Sequence, residues 1–400
     1  MKRSELMLAV YLPTALLAIG QGVLLTTIPF LGTSMGLTNT VVGVIASAAA
    51  LGTLVMDVPA GALLHRIGLR RSMLIGASLT AIGTMSLVFP LDPAVITALR
   101  VLAGIGTAMW ELSRHSFIAQ SVPPEERGRA ISVFGGINRI GVFGGPGLGG
   151  LVIAAVGVHA SFLMSGLMAL LALISAAVFM SSEAQQRMNT TGSARSRWGI
   201  VRRTLREHAA DMTAASIAQM FAQMIRQGRQ LLVPLYGYTV LDLSTPQVGL
   251  VLTVSSLVDM SMFFPAGIIM DRYGRKFASV PSFAIMAVGI GLVPFAGSYP
   301  ALLAVGALIG LGNGLGSGSM MTLGADLAPR EATGEFLGIW RVIGDIGGVV
   351  GPLIVGIVGD HLGLRGSAVF LMLAGFCSSV TLFKLVKETR RASEPVAVIR

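Results

Sequence analysis

The chain has 400 residues, 53% of them hydrophobic and only 12% charged, with a net charge of +10 and a mean hydropathy of +0.77. That much apolar sequence excludes a water-soluble globule and indicates a polytopic membrane protein. The positive charge could suit nucleic acid, but it is spread over short connections between apolar runs, where it sets topology and meets anionic lipid.

Apolar runs of about 20 residues, the length that crosses a bilayer, fall near 6–31, 41–64, 72–91, 94–120, 131–156, 160–180, 212–238, 245–270, 277–297, 300–325, 336–359 and 366–386. They predict an all-α membrane protein of twelve transmembrane helices. The first run spans and lacks a small-residue cleavage site, so it reads as a retained helix, not a signal peptide. Cations gather in alternate connections: Lys2 and Arg3; Arg66, Arg70 and Arg71; Arg127 and Arg129; Arg187 to Arg206; Arg272, Arg275 and Lys276; Arg330; and Lys384 to Arg400. The opposite connections hold only Arg365, which places both termini in the cytoplasm.

In chain order, helix 2 carries Asp57. Helix 4 carries Arg100, Gly104, Thr107, Glu111 and Arg114 at spacings that make one stripe. An ionisable group at mid-helix costs roughly 2.5–3.5 kcal/mol on insertion scales, so Glu111 is either a proton-coupling carboxylate or half of a permanent pair with Arg114. Helix 5 holds Asn138, Arg139 and the run Gly141-Val142-Phe143-Gly144-Gly145-Pro146-Gly147-Leu148-Gly149-Gly150. Such a run would be a loop in water; inside a bilayer it predicts a kinked helix at a close helix-helix contact.

Residues 181–211 read as a polar linker, either disordered or with a short interfacial helix showing Trp198, Val201 and Leu205. This gives an N-terminal bundle over 1–180 and a C-terminal bundle with a tail over 212–400. Helix 7 is unusually polar: Gln219, Gln223, Arg226 and Gln230 share a face beside Gln227 and Arg229, lining a substrate cavity or forming a polar seam. Asp259 lies in helix 8, Asn313 in helix 10, and Trp340, Arg341 and Asp345 in helix 11; Tyr236, Asn313, Asn138 and Trp340 are further cavity candidates. His115 and His159 have no metal-ligand spacing, the lone Cys377 cannot form an internal disulfide, and no nucleotide loop or hydrolase elbow is visible. Neither an enzyme nor a metal or organic cofactor is expected.

Sliding the chain on itself by 206 residues superposes Gln21-Gly22 on Gln227-Gly228 and Pro59-Ala60-Gly61 on Pro265-Ala266-Gly267. The same offset sets Gly141, Gly145, Pro146 and Gly150 on Gly347, Gly351, Pro352 and Gly356. Six helices per unit put both halves into the membrane from the same side, related by a pseudo-two-fold along its normal.

Gly267-Ile268-Ile269-Met270-Asp271-Arg272-Tyr273-Gly274-Arg275-Lys276 resembles the loop signature of the major facilitator superfamily, and the segment from Gly61 through Arg66 to Arg71 its first copy, with His65 in place of the usual Asp. Leu99 to Gly106 resembles the family's helix 4 signature, whose arginine, here Arg100, is linked to proton transfer. The helix 5 run resembles that of drug:proton antiporters. The resemblance implies two six-helix bundles, a midplane substrate site and a loop acid, Asp271, securing a cytoplasmic gate against a helix terminus. It also sets helix 2 beside helix 11 and helix 5 beside helix 8. Depth counting then pairs Asp57 with Arg341 and Arg139 with Asp259 as bars that close the cytoplasmic side in an outward-facing carrier, unless these charges pair within their own halves.

The expected function is proton-driven export of hydrophobic or amphipathic small molecules from the bacterial cytoplasm, by a monomer in the inner membrane drawing on the proton motive force. Glu111, Asp259, Asp57 and Asp345 are the candidate proton carriers. An importer, facilitator or lipid flippase of the same fold is the alternative, the helix 7 arginines suiting an anionic substrate; a transporter-like sensor without flux is a second.

Overall fold

The structure, a computed structural model, describes residues 7–121, 124–179, 209–329 and 332–388. The linker expected over 181–211, with its interfacial helix, lies outside the described residues except for its last few. Among the described residues twelve spanning helices run in order. The N-terminal six are α1 (Met7–Ser34, opening with a π-helical turn), α2 (Asn39–Ile67), α3 (Leu69–Met85), α4 (Pro93–Ser121), α5 (Pro124–Val156) and α6 (Val158–Phe179). The C-terminal six are α7 (Ala209–Thr239), α8 (Thr245–Ser261 and Phe263–Arg272), α9 (Arg275–Leu292), α10 (Tyr299–Leu315 and Ser319–Leu327) and a run Thr333–Lys384 that divides into α11 and α12 at Gly363. Gly363 has φ 70°, a conformation that favours glycine, and residues 360–363 are exposed.

Among the described residues, ten stretches are long and apolar enough to cross a membrane. The last covers both α11 and α12, and α7, though as long as its neighbours, falls short because of its glutamines and arginines. Packing repeats between the halves. Helix α1 lies against α5 and α6, as α7 lies against α11 and α12; α4 joins α2 and α3, as α10 joins α8 and α9. The halves meet through α2 with α11, α5 with α8, and α1 with α7.

The glycine-proline helices divide their small residues between two faces. A methyl added to Gly145 would lie 2.7 Å from the Ile19 carbonyl, and one at Gly149 2.8 Å from that of Val23, both on α1 of the same half. At Gly351 it would lie 2.9 Å from the Gly228 amide on α7. The other face crosses to the opposite half: Gly150 abuts the Thr245 carbonyl, and a methyl on Gly249 would lie 2.6 Å from the Pro146 carbonyl. In the twin seam Gly356 abuts Asn39, and a methyl on Gly43 would lie 2.7 Å from the Pro352 carbonyl. The close contacts expected of the run are thus split between two neighbours, because successive small residues point to different sides of one helix. Helix α5 is also continuous through Pro146.

Two breaks were not legible in the sequence. Helix α8 interrupts at Met262, three residues before Pro265, whose ring cannot continue the hydrogen-bond ladder. Helix α10 interrupts at Gly316–Gly318, with Gly318 left-handed at φ 76°. At the α10 break the Gly316 carbonyl accepts from Arg226 Nη2 at 3.0 Å as well as from the Ser319 amide and hydroxyl.

Candidate functional site

A cavity of ≈ 340 Å³ lies between the halves. Its walls come from α1 (Gln21, Leu24, Leu25, Ile28), α2 (Ala49, Thr53), α3 (Thr80, Thr84), α4 (Arg100, Thr107, Glu111), α7 (Gln223, Gln227, Gln230, Leu231) and α11 (Arg341, Asp345). The polar face of α7 thus reaches a cavity. A second space of ≈ 250 Å³ adjoins it within the C-terminal half, lined by Gln219, Gln223, Arg226, Met320, Trp340, Arg341 and Asp345. Gln223, Arg341 and Asp345 border both and form the partition.

Arg341 is the hub of that partition. Its Nη2 donates to Glu111 Oε2 at 2.7 Å, across 230 residues and across the halves. Its Nε lies 3.8 Å from Asp57 Oδ2 on α2 and 4.0 Å from Asp345 Oδ2 one turn along α11. The structure brings Asp57 and Arg341 together and adds Glu111, whose hydrogen bond reaches the opposite half. Arg114 is buried near this cluster and, with Asn138, lines a small space beside Trp110.

The second ionic group joins α5 to α8. Arg139 Nη1 lies 3.6 Å from Asp259 Oδ1, Arg139 also donates to Ser317 Oγ, and its guanidinium sits 4.8 Å from the Phe263 ring. Asn313 Nδ2 donates to Asp259 Oδ2 at 2.9 Å, so Asn313 orients this carboxylate and does not line either cavity. Arg226 and Arg229 of α7 lie within electrostatic reach of Asp259, with Arg226 stacked over Phe283 and Arg229 near Ser255. One carboxylate therefore faces three arginines.

Other expected residues fall elsewhere. Tyr236 is buried in the C-terminal core and donates to the Pro294 carbonyl at 3.1 Å, so as a cavity residue it is corrected; a phenol that satisfies its hydroxyl inside one bundle packs as core. Trp340 borders the smaller space, its Nε1 donating to the Met320 carbonyl at 3.0 Å. The Asp271 side chain, in the last turn of α8, is 85% exposed and lies 3.7 Å from Arg275; among the described residues it accepts no helix N-terminal amide. The carboxylate that does cap a helix here is Glu388, whose oxygens accept from the Arg275 and Lys276 amides at 2.9 and 3.0 Å. Arg66 and Arg272 are exposed at the ends of α2 and α8, and the side chain of His65 lies outside the described residues.

Asp360, in the last turn of α11, was not anticipated. Its two oxygens accept from the Asn39 and Thr40 amides at 2.8 Å each, so a carboxylate of the C-terminal half caps the N-terminus of α2. Slight burial acts to raise its pKa, but the hydrogen bonds from Thr40 and Asn39 prevail and hold it below the usual carboxylate range. Tyr238, donating to the Thr26 carbonyl at 3.3 Å and edge-on to Phe30, joins α7 to α1 on the same side. With the glycine contacts these join the halves at the end opposite the described chain termini, and they do so while both ionic groups are formed.

Gln21 was also missed as a wall residue, yet a signal existed: the 206-residue offset places it on Gln227, and both line the cavity. Among the described residues no cluster of metal-ligating side chains occurs.

The family profile described as Major Facilitator Superfamily matches residues 10–244 and again 215–399. An uncharacterized MFS-type transporter of Methanocaldococcus jannaschii is 21% identical, covering 92% of this chain and 96% of its own. The multidrug resistance protein MdtH of Aeromonas salmonicida is 23% identical over 78% of this chain and 76% of its own. Among solved structures, a D-xylose-proton symporter superposes with a TM-score of 0.78 at 18% identity, covering 98% of this chain and 99% of that one. At that identity the likeness speaks for the fold alone.

Proposed function

This chain belongs to the Major Facilitator Superfamily of membrane transporters, and from that premise we propose that it is a proton-coupled exporter of hydrophobic or amphipathic small molecules. It works in the cytoplasmic (inner) membrane as a single copy with both termini inside, and the proton motive force replaces any cofactor. The observation that carries the reading is Arg341 held by Glu111, Asp57 and Asp345 at the edge of the central cavity. The arginine comes from one half and two of its acids from the other, so separating the halves at this level must break a partly buried ion pair. Protonating an acid weakens that pair, and loading of the cavity is thereby coupled to a shift between two arrangements of the halves. The resemblance of the sequence to multidrug resistance proteins supports export as the direction. The outer contacts and the ionic groups then act as alternating barriers.

The reading is tested in proteoliposomes by following proton movement while lipophilic compounds of varied charge are added. The account expects at least one compound to drive protons in the opposite direction to its own flux. Flux of every transported compound that ignores an imposed pH gradient would overturn it.

A further inference from the structure

Within the twelve apolar runs of the sequence, the arginines Arg100, Arg114, Arg139, Arg226, Arg229 and Arg341 stand against four carboxylates, Asp57, Glu111, Asp259 and Asp345. Three of those acids surround Arg341, and Arg139 with Asn313 takes the fourth. Arg100 differs from the other five. It makes no hydrogen bond or ion pair among the described residues, its Nε is buried without a partner, and it stands in the wall of the central cavity. A guanidinium inside a membrane is tolerated when it faces water or a counter-ion, and this one faces the space where the substrate belongs.

The position within the cavity is equally informative. Arg100 is eleven residues from Glu111 on the same stripe of α4, which at about 1.5 Å per residue sets them about 16 Å apart along the axis. The cation lies toward the outer end and the Arg341 partition toward the inner end. Leu24, Leu25, Ile28, Ala49, Ala50 and Leu231 supply apolar wall to the same cavity. We infer that the cavity selects amphipaths bearing a singly charged oxyanion, such as a carboxylate, whose acid is held by Arg100 while the apolar body lies along α1, α2 and α7. A planar guanidinium fork matches a carboxylate bidentately, and the surplus of cations within the spans favours an anion further.

This inference rests on the transport reading, and the test separates the two. Binding of decanoate, decanamide and decylamine, which share a chain and differ in charge, is measured to the full-length protein in lipid nanodiscs, with empty nanodiscs subtracted. Decanoate is expected to bind about tenfold or more tightly than either of the others. Arg100→Gln should erase the preference, and Arg100→Lys should keep part of it. Equal binding of all three, a preference for decylamine, or a decanoate preference that survives Arg100→Gln would overturn the inference. If Arg100→Gln does not yield a monodisperse protein, the wild-type ranking decides alone. Compounds that move protons while decanoate shows no preference defeat only this inference; decanoate binding through Arg100 with no pH-dependent flux of any compound defeats the transport reading instead.

Discussion

The two seams between the halves are built alike in backbone and differently in charge. Both cross through small residues at the end opposite the described chain termini, Gly43 and Gly356 in the α2–α11 seam, Gly150 and Gly249 in the α5–α8 seam. The α2–α11 seam then adds an ionised latch at that end, Asp360 on the Asn39 and Thr40 amides, and an arginine among three acids beside the cavity. Its counterpart closes with neutral bonds, Thr245 Oγ1 to the Gly150 carbonyl at 2.9 Å and Thr253 Oγ1 to the Phe143 carbonyl at 3.3 Å, and has one acid near three arginines. The difference teaches where a proton can do work. A proton added to the first cluster relieves crowding between like charges, whereas one added to Asp259 leaves three cations without their anion. On the proposed proton-coupled reading, proton sensitivity belongs to the α2–α11 seam, and the α5–α8 seam serves as the hinge that opposes it.

The largest way to break this asymmetry is Arg341→Leu. Leaving Asp57, Glu111 and Asp345 without their shared cation should abolish transport and lower stability by about 3 kcal/mol, the low end for a broken buried pair because these side chains keep some solvent contact. Thermal unfolding in detergent and flux in vesicles measure the two effects. Next comes a pair of glycine variants that tell packing from gating. Gly145→Leu forces α5 away from α1 within one half and should cost about 1–3 kcal/mol of stability, with transport falling as a result. Gly43→Leu meets α11 of the opposite half instead. It should leave each bundle folded and shift the protein toward an outward-open state, read as increased labelling of cysteines placed along the outer part of the cavity.

Asp360→Asn sharpens the comparison with a smaller effect, loosening the outer closure of one seam only. Because the pKa of Asp360 is depressed, the latch is fully made above the ordinary carboxylate range and is lost as external pH falls through the depressed value. Spin-label distances across α2 and α11 should lengthen on acidification in the wild type and change little in the variant. The smallest effect is expected for Thr245→Val, which removes one neutral hydrogen bond worth about 0.5–1.5 kcal/mol and should move the α5–α8 distance without any pH dependence.

Much of the architecture was legible because hydropathy, loop charge and the 206-residue repeat are one-dimensional signals. The repeat also carried unread information, since Gln21 stands opposite Gln227 in sequence and both face the cavity. What escaped were relations that depend on distant parts of the chain or on departures from the repeat. Glu111 has an arginine three residues away, and nothing local shows that its hydrogen bond goes to Arg341 instead. Asp360 looks like an ordinary exposed acid until α2 begins beside it. The glycines from Gly312 to Gly318 suggest close packing, and only the fold shows that α10 breaks there to present a carbonyl to Arg226. Tyr236 sits at the right depth for a cavity but faces its own bundle, a matter of rotation that polarity along a helix does not settle.

The central claim is that the proton is carried on the α2–α11 side. Its most direct test is substrate-driven proton movement in proteoliposomes for wild type, Glu111→Gln and Asp259→Asn. The account predicts that Glu111→Gln uncouples flux from the pH gradient, while Asp259→Asn slows flux but leaves the remaining transport coupled. Coupling that survives in Glu111→Gln and vanishes in Asp259→Asn would contradict it.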